Sequence, residues 1–361
     1  MTRNDLESLL TSNIPDIQNK NLWIFGAGNT AVLYYNGLKR LETEGFFIQG
    51  YVDNNSAKWG TTFNDKTVIS PEELKTLPDV CVLVCSIQKN VIVAVQNQLS
   101  EMGIINYRID DVILKKHANE VLQCYDLFCD DDSKNAYAEL VKARITGNDD
   151  VLPYSSKELY YAFKPFLLNS SNEVFIDCGA YVGDSMERYI WNKDGVFHKI
   201  YAFEPDSNNF LALQNRKKRL CLEWSGCRED NILTYPYGIA EASLYADVHH
   251  HQQTNGLSSH IELLKGEQSG KPNVISLDDF IKEPYHFLKA DIEGWEYNML
   301  LGAQKGIREN RPLMTICIYH SGVDFYSIPL LLKNWLPDYS FGLCHHRYTL
   351  TDTILYCWPN I

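Results

Sequence analysis

The chain has 361 residues, 45% of them hydrophobic and 22% charged, which is long enough for two domains that each bury a core. A formal net charge of −13 argues against a broad nucleic-acid footprint, because that needs clustered Lys and Arg. No stretch approaches membrane-spanning length, no apolar leader opens the sequence, and the ten cysteines show no metal or C-x-x-C spacing, so the expected setting is the reducing cytoplasm.

Residues 1–20 are polar around Leu9-Leu10 and predict a short leading helix. Leu22-Trp23-Ile24-Phe25 then reads as a buried strand. It runs into Gly26-Ala27-Gly28-Asn29-Thr30-Ala31, a G-x-G-x-x-A turn entering a helix, and a second strand over 47–52 ends at Asp53. That spacing is a dinucleotide fingerprint. Strands over 80–85 and near Tyr107 complete about half of a doubly wound sheet, giving a small Rossmann-like α/β accessory domain over 1–118. Trp59 and Gly60 read as loop. GAGNTA and YVDNN resemble the small domains that precede some sugar-modifying transferases and are similar to nucleotide-sugar-binding domains. The resemblance implies that Gly26, Gly28 and Asp53 hold a nucleotide or sugar nucleotide; the alternative is a domain that keeps the fold without binding.

Residues 119–153 read as a helical linker. In it Asp130-Asp131-Asp132 precedes a helical run over 134–145 that ends at Gly147-Asn148; the triplet suits the positive end of that helix and lacks the spacing of a calcium loop. A further helix is expected over 157–168, with Tyr160, Tyr161 and Phe163 on it.

The most informative stretch is 174–205. Val174-Phe175-Ile176 has the short apolar character of a strand covered on both faces, and it ends at Asp177. Gly179 and Gly183 allow a sharp turn, a helix starts near Asp184, and a second strand over 199–203 ends at Glu204. A right-handed βαβ crossover sets Asp177 and Glu204 at neighbouring strand ends. Glu204 is placed to accept both hydroxyls of a ribose. Asp177 and Asp184 would repel a pyrophosphate but attract a cation, which favours S-adenosylmethionine (SAM) over NAD.

Further on, a helix from about Asn208 carries Arg216-Lys217-Lys218-Arg219, expected at its terminus, and a strand over 232–235 leads to Gly238, where a cofactor ring can approach the backbone. Asp230 and Glu241 are the acids on offer to an adenine. Residues 242–272 read as a long polar loop around NGLSSH, with His249-His250-His251 alternating in direction and so ill-suited to a metal. A strand over 287–290 ends at Asp291, with Glu293 and Glu296 opening the next helix, and Glu296 placed as a helix-dipole partner. A strand over 313–319 ends at His320-Ser321, and strands over 340–345 and 354–358 form a hairpin with His345 and His346 at its rim.

The motifs FIDCGAYVGD, YAFEPD, ISLDDF and KADIEGWE, in this order, resemble the FkbM family of SAM-dependent methyltransferases over 154–361. The resemblance implies a seven-stranded, Rossmann-like SAM-methyltransferase sheet and methyl transfer, usually to a hydroxyl oxygen of a sugar or polyketide. SAM would be held by Asp177, Gly179, Ala180, Tyr181, Gly183, Asp184, Phe203, Glu204, Pro205, Gly238 and Asp291, with Tyr154 and Tyr160 as further contacts. The whole chain is then α/β, with a larger C-terminal sheet and a smaller N-terminal one. The expected activity is O-methylation of a sugar, glycan precursor or related metabolite, a carbohydrate modification whose partner is a small-molecule acceptor and not nucleic acid or membrane, with a homo-oligomer left open.

His320 is the expected general base, since an imidazole titrates near neutral pH. The other reading has Asp291 and Glu293 hold Mg²⁺ or Ca²⁺, a thin ligand set for a hard cation, so no metal is the preferred expectation. Two other functions stand beside methyl transfer: an NAD-linked oxidoreductase acting on a sugar nucleotide through GAGNTA, and a non-catalytic nucleotide-binding module.

Overall fold

The two glycine turns of the sequence each follow a central strand of a mostly parallel sheet. In the computed structural model, which describes residues 1–150, 152–250, 259–263 and 273–360, the chain divides into two compact units. The first is Met1–Tyr154 with Tyr319–Leu330 and Arg347–Asp352; the second is Ser155–Ile318 with Leu331–His346 and Thr353–Ile361. Residues 119–153, expected as a linker, fall in the first unit.

The first unit holds β1 (Asn21–Phe25), β2 (Ile48–Val52), β3 (Thr62–Phe63), β4 (Lys66–Ile69), β5 (Val80–Val84) and β6 (Ile105–Arg108), in the spatial order β3-β4-β2-β1-β5-β6. All neighbours are parallel except β3 and β4. That hairpin escapes the sequence reading because its strands are only two and four residues long. Its turn residues Asn64 and Asp65 both have positive φ, the conformation a two-residue hairpin turn needs. Phe25, Val52, Val82 and Val84 pack with Ile92, Val95 and Leu99 of the helix Lys89–Glu101 to make the core on one face.

The acidic triplet does cap a helix. Asp130 accepts from Ser133 N at 2.8 Å, and the helix Asp131–Thr146 ends at Gly147 with φ of +70°. Inside it, the buried Arg144 reaches Asp110 Oδ2 at 2.9 Å and also donates to the Tyr319 carbonyl, while Tyr34 donates to Asp110 Oδ1 at 2.6 Å.

The second unit contains β7 (Val174–Cys178), β8 (Lys199–Phe203), β9 (Ile232–Tyr235), β10 (Gly238–Ile239), β11 (Ala246–His250), β12 (Ser259–Leu263), β13 (Val274–Ile275), β14 (Phe287–Ala290), β15 (Leu313–Cys317), β16 (Tyr339–His345) and β17 (Thr353–Pro359). Seven of them form the sheet β16-β17-β15-β14-β7-β8-β9, the expected methyltransferase-type sheet. The order reverses between β7 and β14, and ligands of such sheets lie outside the carboxyl ends of the strands at that switch point.

Three expectations fail. No α-helix forms over 157–168; the segment has only the 3₁₀ turn Lys164–Leu167, because Phe166 packs edge-on against Phe287, Tyr356 and Trp358 of the sheet. The polar stretch 242–272 is not all loop: β11 pairs antiparallel with β12, Ala246 opposite Leu263. His251 and most of NGLSSH lie outside the described residues. The basic run does not end its helix, which continues to Glu223; Arg216 and Arg219 pair with Glu187, and Lys217 with Glu229.

Arg144→Ala should strand Asp110 as a buried, unpaired carboxylate at a cost of about 3–5 kcal/mol. Urea unfolding checks this, with exposed Lys142→Ala as a control shifting stability by less than about 0.5 kcal/mol.

Candidate active site

The site grows from the two central strands. In the register of β7 with β14, Lys289 stands directly opposite Asp177. Both are buried, at 2% and 0% exposure. Lys289 Nζ lies 3.1 Å from Asp177 Oδ1, and Ser185 Oγ donates to Asp177 Oδ2 at 2.5 Å. The same ammonium donates to the carbonyls of Gly179 at 2.6 Å and Cys178 at 3.3 Å. Burial by itself would push the lysine down, but Asp177 and Asp291 outweigh it and hold the group well above its usual range. Asp177 is therefore an internal partner of Lys289, not the open acid of the sequence reading.

The turn after β7 is clamped from β8. Gly179 N and Ala180 N both donate to the Phe203 carbonyl, at 3.1 and 2.9 Å. Gly179 has φ of +77°, and a Cβ there would lie 1.9 Å from the Asp291 carbonyl oxygen, so no other residue fits. Tyr181 also has positive φ, and its N–H donates to Glu204 Oε2 at 2.9 Å. Asp206 N donates to the other oxygen at 2.9 Å.

Burial raises the Glu204 carboxyl, the amides of Asp206 and Tyr181 pull it back, and the Asp206 charge raises it again; the net result is a group pushed up to about 7. The Asn209 side chain also bonds this carboxyl, and a carboxylate's four lone-pair sites leave room beside these three donors for a ligand hydroxyl. Gly183, buried, precedes the helix Asp184–Asn192, whose first residue Asp184 is exposed.

The acidic loop after β14 folds on itself. Asp291 N donates to the Cys178 carbonyl, Glu293 and Gly294 have φ of +56° and +87°, and both Asp291 and Glu293 are half-buried. Fully buried Glu296 stands in the first turn of its helix, as expected, and also holds the loop, accepting from Ile292 N at 2.7 Å and Gly294 N at 3.1 Å.

Tyr160, buried with φ of +71°, donates its N–H to Tyr356 Oη at 3.1 Å and sets its ring 5.7 Å from Lys289 Nζ. Burial above all, with the charges of Asp291, Asp177 and Asp184, holds its hydroxyl well above the usual range. Neither Lys289 nor Ser185 was assigned a role from sequence. The usable signal was a lysine inside the apolar strand FLKA, which cannot be buried without a carboxylate partner.

Other expected residues are placed less simply. Gly238 is buried in β10, its N–H already donating to the Asn273 carbonyl at 2.9 Å, and Pro205 is half-buried. Asp230 is exposed and paired with Arg228 at 3.0 Å. Tyr154 belongs to the first unit, stacked on Tyr348 at 4.8 Å. His320 also belongs to the first unit, buried with its ring centroid 4.0 Å from that of Tyr319. His345 is buried and bonded to Thr353 Oγ1 at 2.9 Å, so it is not a rim residue; His346 bonds Tyr356 Oη at 3.1 Å.

The first unit repeats the clamp. Asp53 accepts from Ala27 N at 3.0 Å and Asn55 N at 2.8 Å, as Glu204 accepts from Tyr181 and Asp206. Here, however, Lys58 Nζ sits 2.8 Å from Asp53 and 2.6 Å from the Ala27 carbonyl, and Trp59 Nε1 donates to the Asp53 carbonyl at 2.7 Å. Gly26 approaches the Cys85 carbonyl and Gly28 caps the following helix without a side chain.

Residues 177–341 match the methyltransferase FkbM domain. This part of the chain is an FkbM domain, of a SAM-dependent methyltransferase family. Residues 18–110 match the domain described as C2185-like, N-terminal. The crystal structure of a methyltransferase FkbM from Methylobacillus flagellatus KT shares the fold, with a TM-score of 0.57 and 20% identity over 99% of this chain and 98% of that one. An rRNA methylase from Streptococcus thermophilus is 15% identical over 53% of this chain and 89% of its own, at a TM-score of 0.32. UDP-D-quinovosamine 4-dehydrogenase from Vibrio fischeri is 24% identical over 27% of this chain and 85% of its own, at 0.19. Likenesses as slight as these last two carry no conclusion. No curated protein matches the chain. Among the described residues, no helix is long and apolar enough to cross a membrane.

The FkbM domain should reveal one glutamate carboxyl that titrates near pH 7 in a carbon-13 NMR titration, absent in Glu204→Ala. The sign follows from linkage. The folded value of about 7 lies above the ordinary 4.5, so the unfolded chain binds fewer protons between those limits. Glu204 therefore lowers stability as pH rises from about 4.5 through 7 and adds no further slope above that window.

Proposed function

We propose that this FkbM protein transfers the methyl group of SAM to a hydroxyl oxygen of a sugar, glycan precursor or related metabolite. The observation that carries the cofactor part is Glu204, whose carboxylate is oriented by two backbone amides at the end of β8, one strand from the switch point. In this reading Glu204 accepts the ribose hydroxyls and the backbone of 179–183 lies along the cofactor. Phe203 and Pro205 frame the Glu204 end and Gly238 lies beside the base, while Asp184 and Asp291 supply negative charge toward the ammonium and sulfonium. When bound, SAM supplies a methyl group activated by a positively charged sulfur. A small hydroxylated acceptor suits a chain of net charge −13, whose field opposes a long polyanion such as nucleic acid.

The protein's own chemical task is to take the acceptor's proton. We assign that to a ring nitrogen of His320, which follows β15 by three residues. Asp291 and Glu293 are the residues to which the role passes if a divalent cation acidifies the hydroxyl instead. For the first unit, the turn at Gly26 and Gly28 with the Asp53–Lys58 pair is proposed to hold the nucleotide portion of an activated sugar, Lys58 favouring an anionic ligand over a cationic one.

Calorimetry with S-adenosylhomocysteine (SAH) should give saturable binding that Glu204→Ala weakens at least about tenfold, two hydrogen bonds to a charged group being at stake; unchanged affinity sinks the assignment. With labelled SAM, label should appear in an acid-stable methyl ether when nucleotide sugars or glycans are offered; label only in RNA would overturn the acceptor class.

His320→Ala should lower kcat about 10²- to 10⁴-fold with SAH affinity intact, and turnover should survive EDTA. Loss on chelation, restored by Mg²⁺ or Ca²⁺, would move the role to Asp291 and Glu293.

A further inference from the structure

We propose that Lys289 is a positioning residue for cofactor binding, acting on Glu204 through the backbone of the turn after β7. This rests on the SAM reading above. The lysine is buried in an apolar strand, where bringing an ammonium and a carboxylate out of water costs several kcal/mol per ion and a well-packed apolar pair often serves stability as well or better. Stability alone therefore gives weak reason for a lysine at this position.

Its contacts supply another reason. The peptide linking Gly179 to Ala180 is held at both ends: Lys289 Nζ binds its carbonyl at 2.6 Å, and the Phe203 carbonyl accepts its N–H at 2.9 Å. The next peptide presents Tyr181 N–H, and that group binds Glu204 at 2.9 Å. A line of direct contacts thus runs from Lys289 to one oxygen of Glu204.

The turn needs such support, because Gly179 has φ of +77° and Tyr181 of +48°, the latter a conformation that a non-glycine residue adopts only at an energetic cost. Three neighbours hold it: Phe203 takes two N–H groups, Glu204 takes one, and Lys289 takes the carbonyl. With Lys289 gone the 179–180 peptide loses its only charged anchor in this set, free to rotate and carry Tyr181 N–H off Glu204. Tyr160, its ring centroid 5.7 Å from Nζ, is a packing neighbour of the ammonium and is not needed for this chain of contacts.

The test compares wild type, Lys289→Met, and the double variant Asp177→Asn/Lys289→Met. The single variant leaves Asp177 buried without its cation, so a fall in Tm is expected from it whether or not the lysine positions anything. The double variant removes both charges and should recover most of that Tm. If Lys289 positions the turn, the double variant should still bind SAH about 10- to 100-fold more weakly than wild type, the range seen when a group orienting a ligand-binding side chain is lost. The KM for SAM should rise in step while kcat at saturating SAM stays within about threefold, because the lysine touches no reacting atom.

A double variant with wild-type Tm and wild-type SAH affinity overturns the proposal, as does a fall in kcat without a rise in KM. A double variant that does not fold also overturns it, since Lys289 is then a residue of the core. Wild type that binds no SAH overturns the SAM reading itself, and this proposal with it.

Discussion

The ion pair between Lys289 and Asp177 joins the two strands at which the large sheet reverses direction. Hydrogen bonds carry that pair into the crevice above it: to Ser185 and the start of its helix through Asp177, and to the turn carbonyls of Cys178 and Gly179 through Lys289. Neither charge is reachable by water, so each exists only because the other does. The pairing also fixes register. A slip of one residue between β7 and β14 would bury both charges without partners, on strands whose apolar side chains alone would tolerate several alignments.

The two units solve one problem with different electrostatics. Each opens a parallel strand into a glycine turn and pins that turn by a carboxylate from the end of the next strand, which also binds the amide two residues beyond itself. In the first unit a lysine joins the carboxylate. In the second the charged neighbour acting on Glu204 is another acid, Asp206, itself the N-terminal cap of the helix Ser207–Glu223. The same backbone arrangement thus carries a lysine beside its carboxylate in one unit and a second acid in the other, and backbone geometry alone would not separate the two turns.

Much of this was legible in sequence wherever the signal is local. β9 and β14 fall where the short apolar runs placed them, and the turn glycines, Glu204 and the Asp130 cap are set by residues within a few positions of one another. What could not be read depends on partners far away in the chain. Lys289 and Asp177 are separated by more than a hundred residues, and nothing near either one specifies the register that makes them face each other. The aromatic run at 160–166 has spacing that suits a helix, but its rings find better partners on the sheet, Phe166 against Phe287 and Tyr356, than a helix would give them. His345 looked like a rim residue because it ends a strand; a hydroxyl across the hairpin draws it into the core.

The number of acids at the strand ends has its own logic. Three residues other than glycine, Tyr160, Tyr181 and Glu293, sit at positive φ around the crevice, each at a cost of order 1–3 kcal/mol. Each strained stretch is held by a side chain binding a backbone N–H: Tyr356 at Tyr160, Glu204 at Tyr181, and Glu296 at the two residues flanking Glu293. Two of these three acceptors are buried carboxylates, because hydrogen bonds to a charged acceptor are about twice as strong as those to a neutral one. Glu204 and Glu296 shape the backbone, and Asp177 does so through Lys289. Asp184 is exposed, and Asp291 and Glu293 are half-buried. An acid-rich crevice is thus compatible with a rigid one, since Glu204, Glu296 and, through Lys289, Asp177 also hold its backbone.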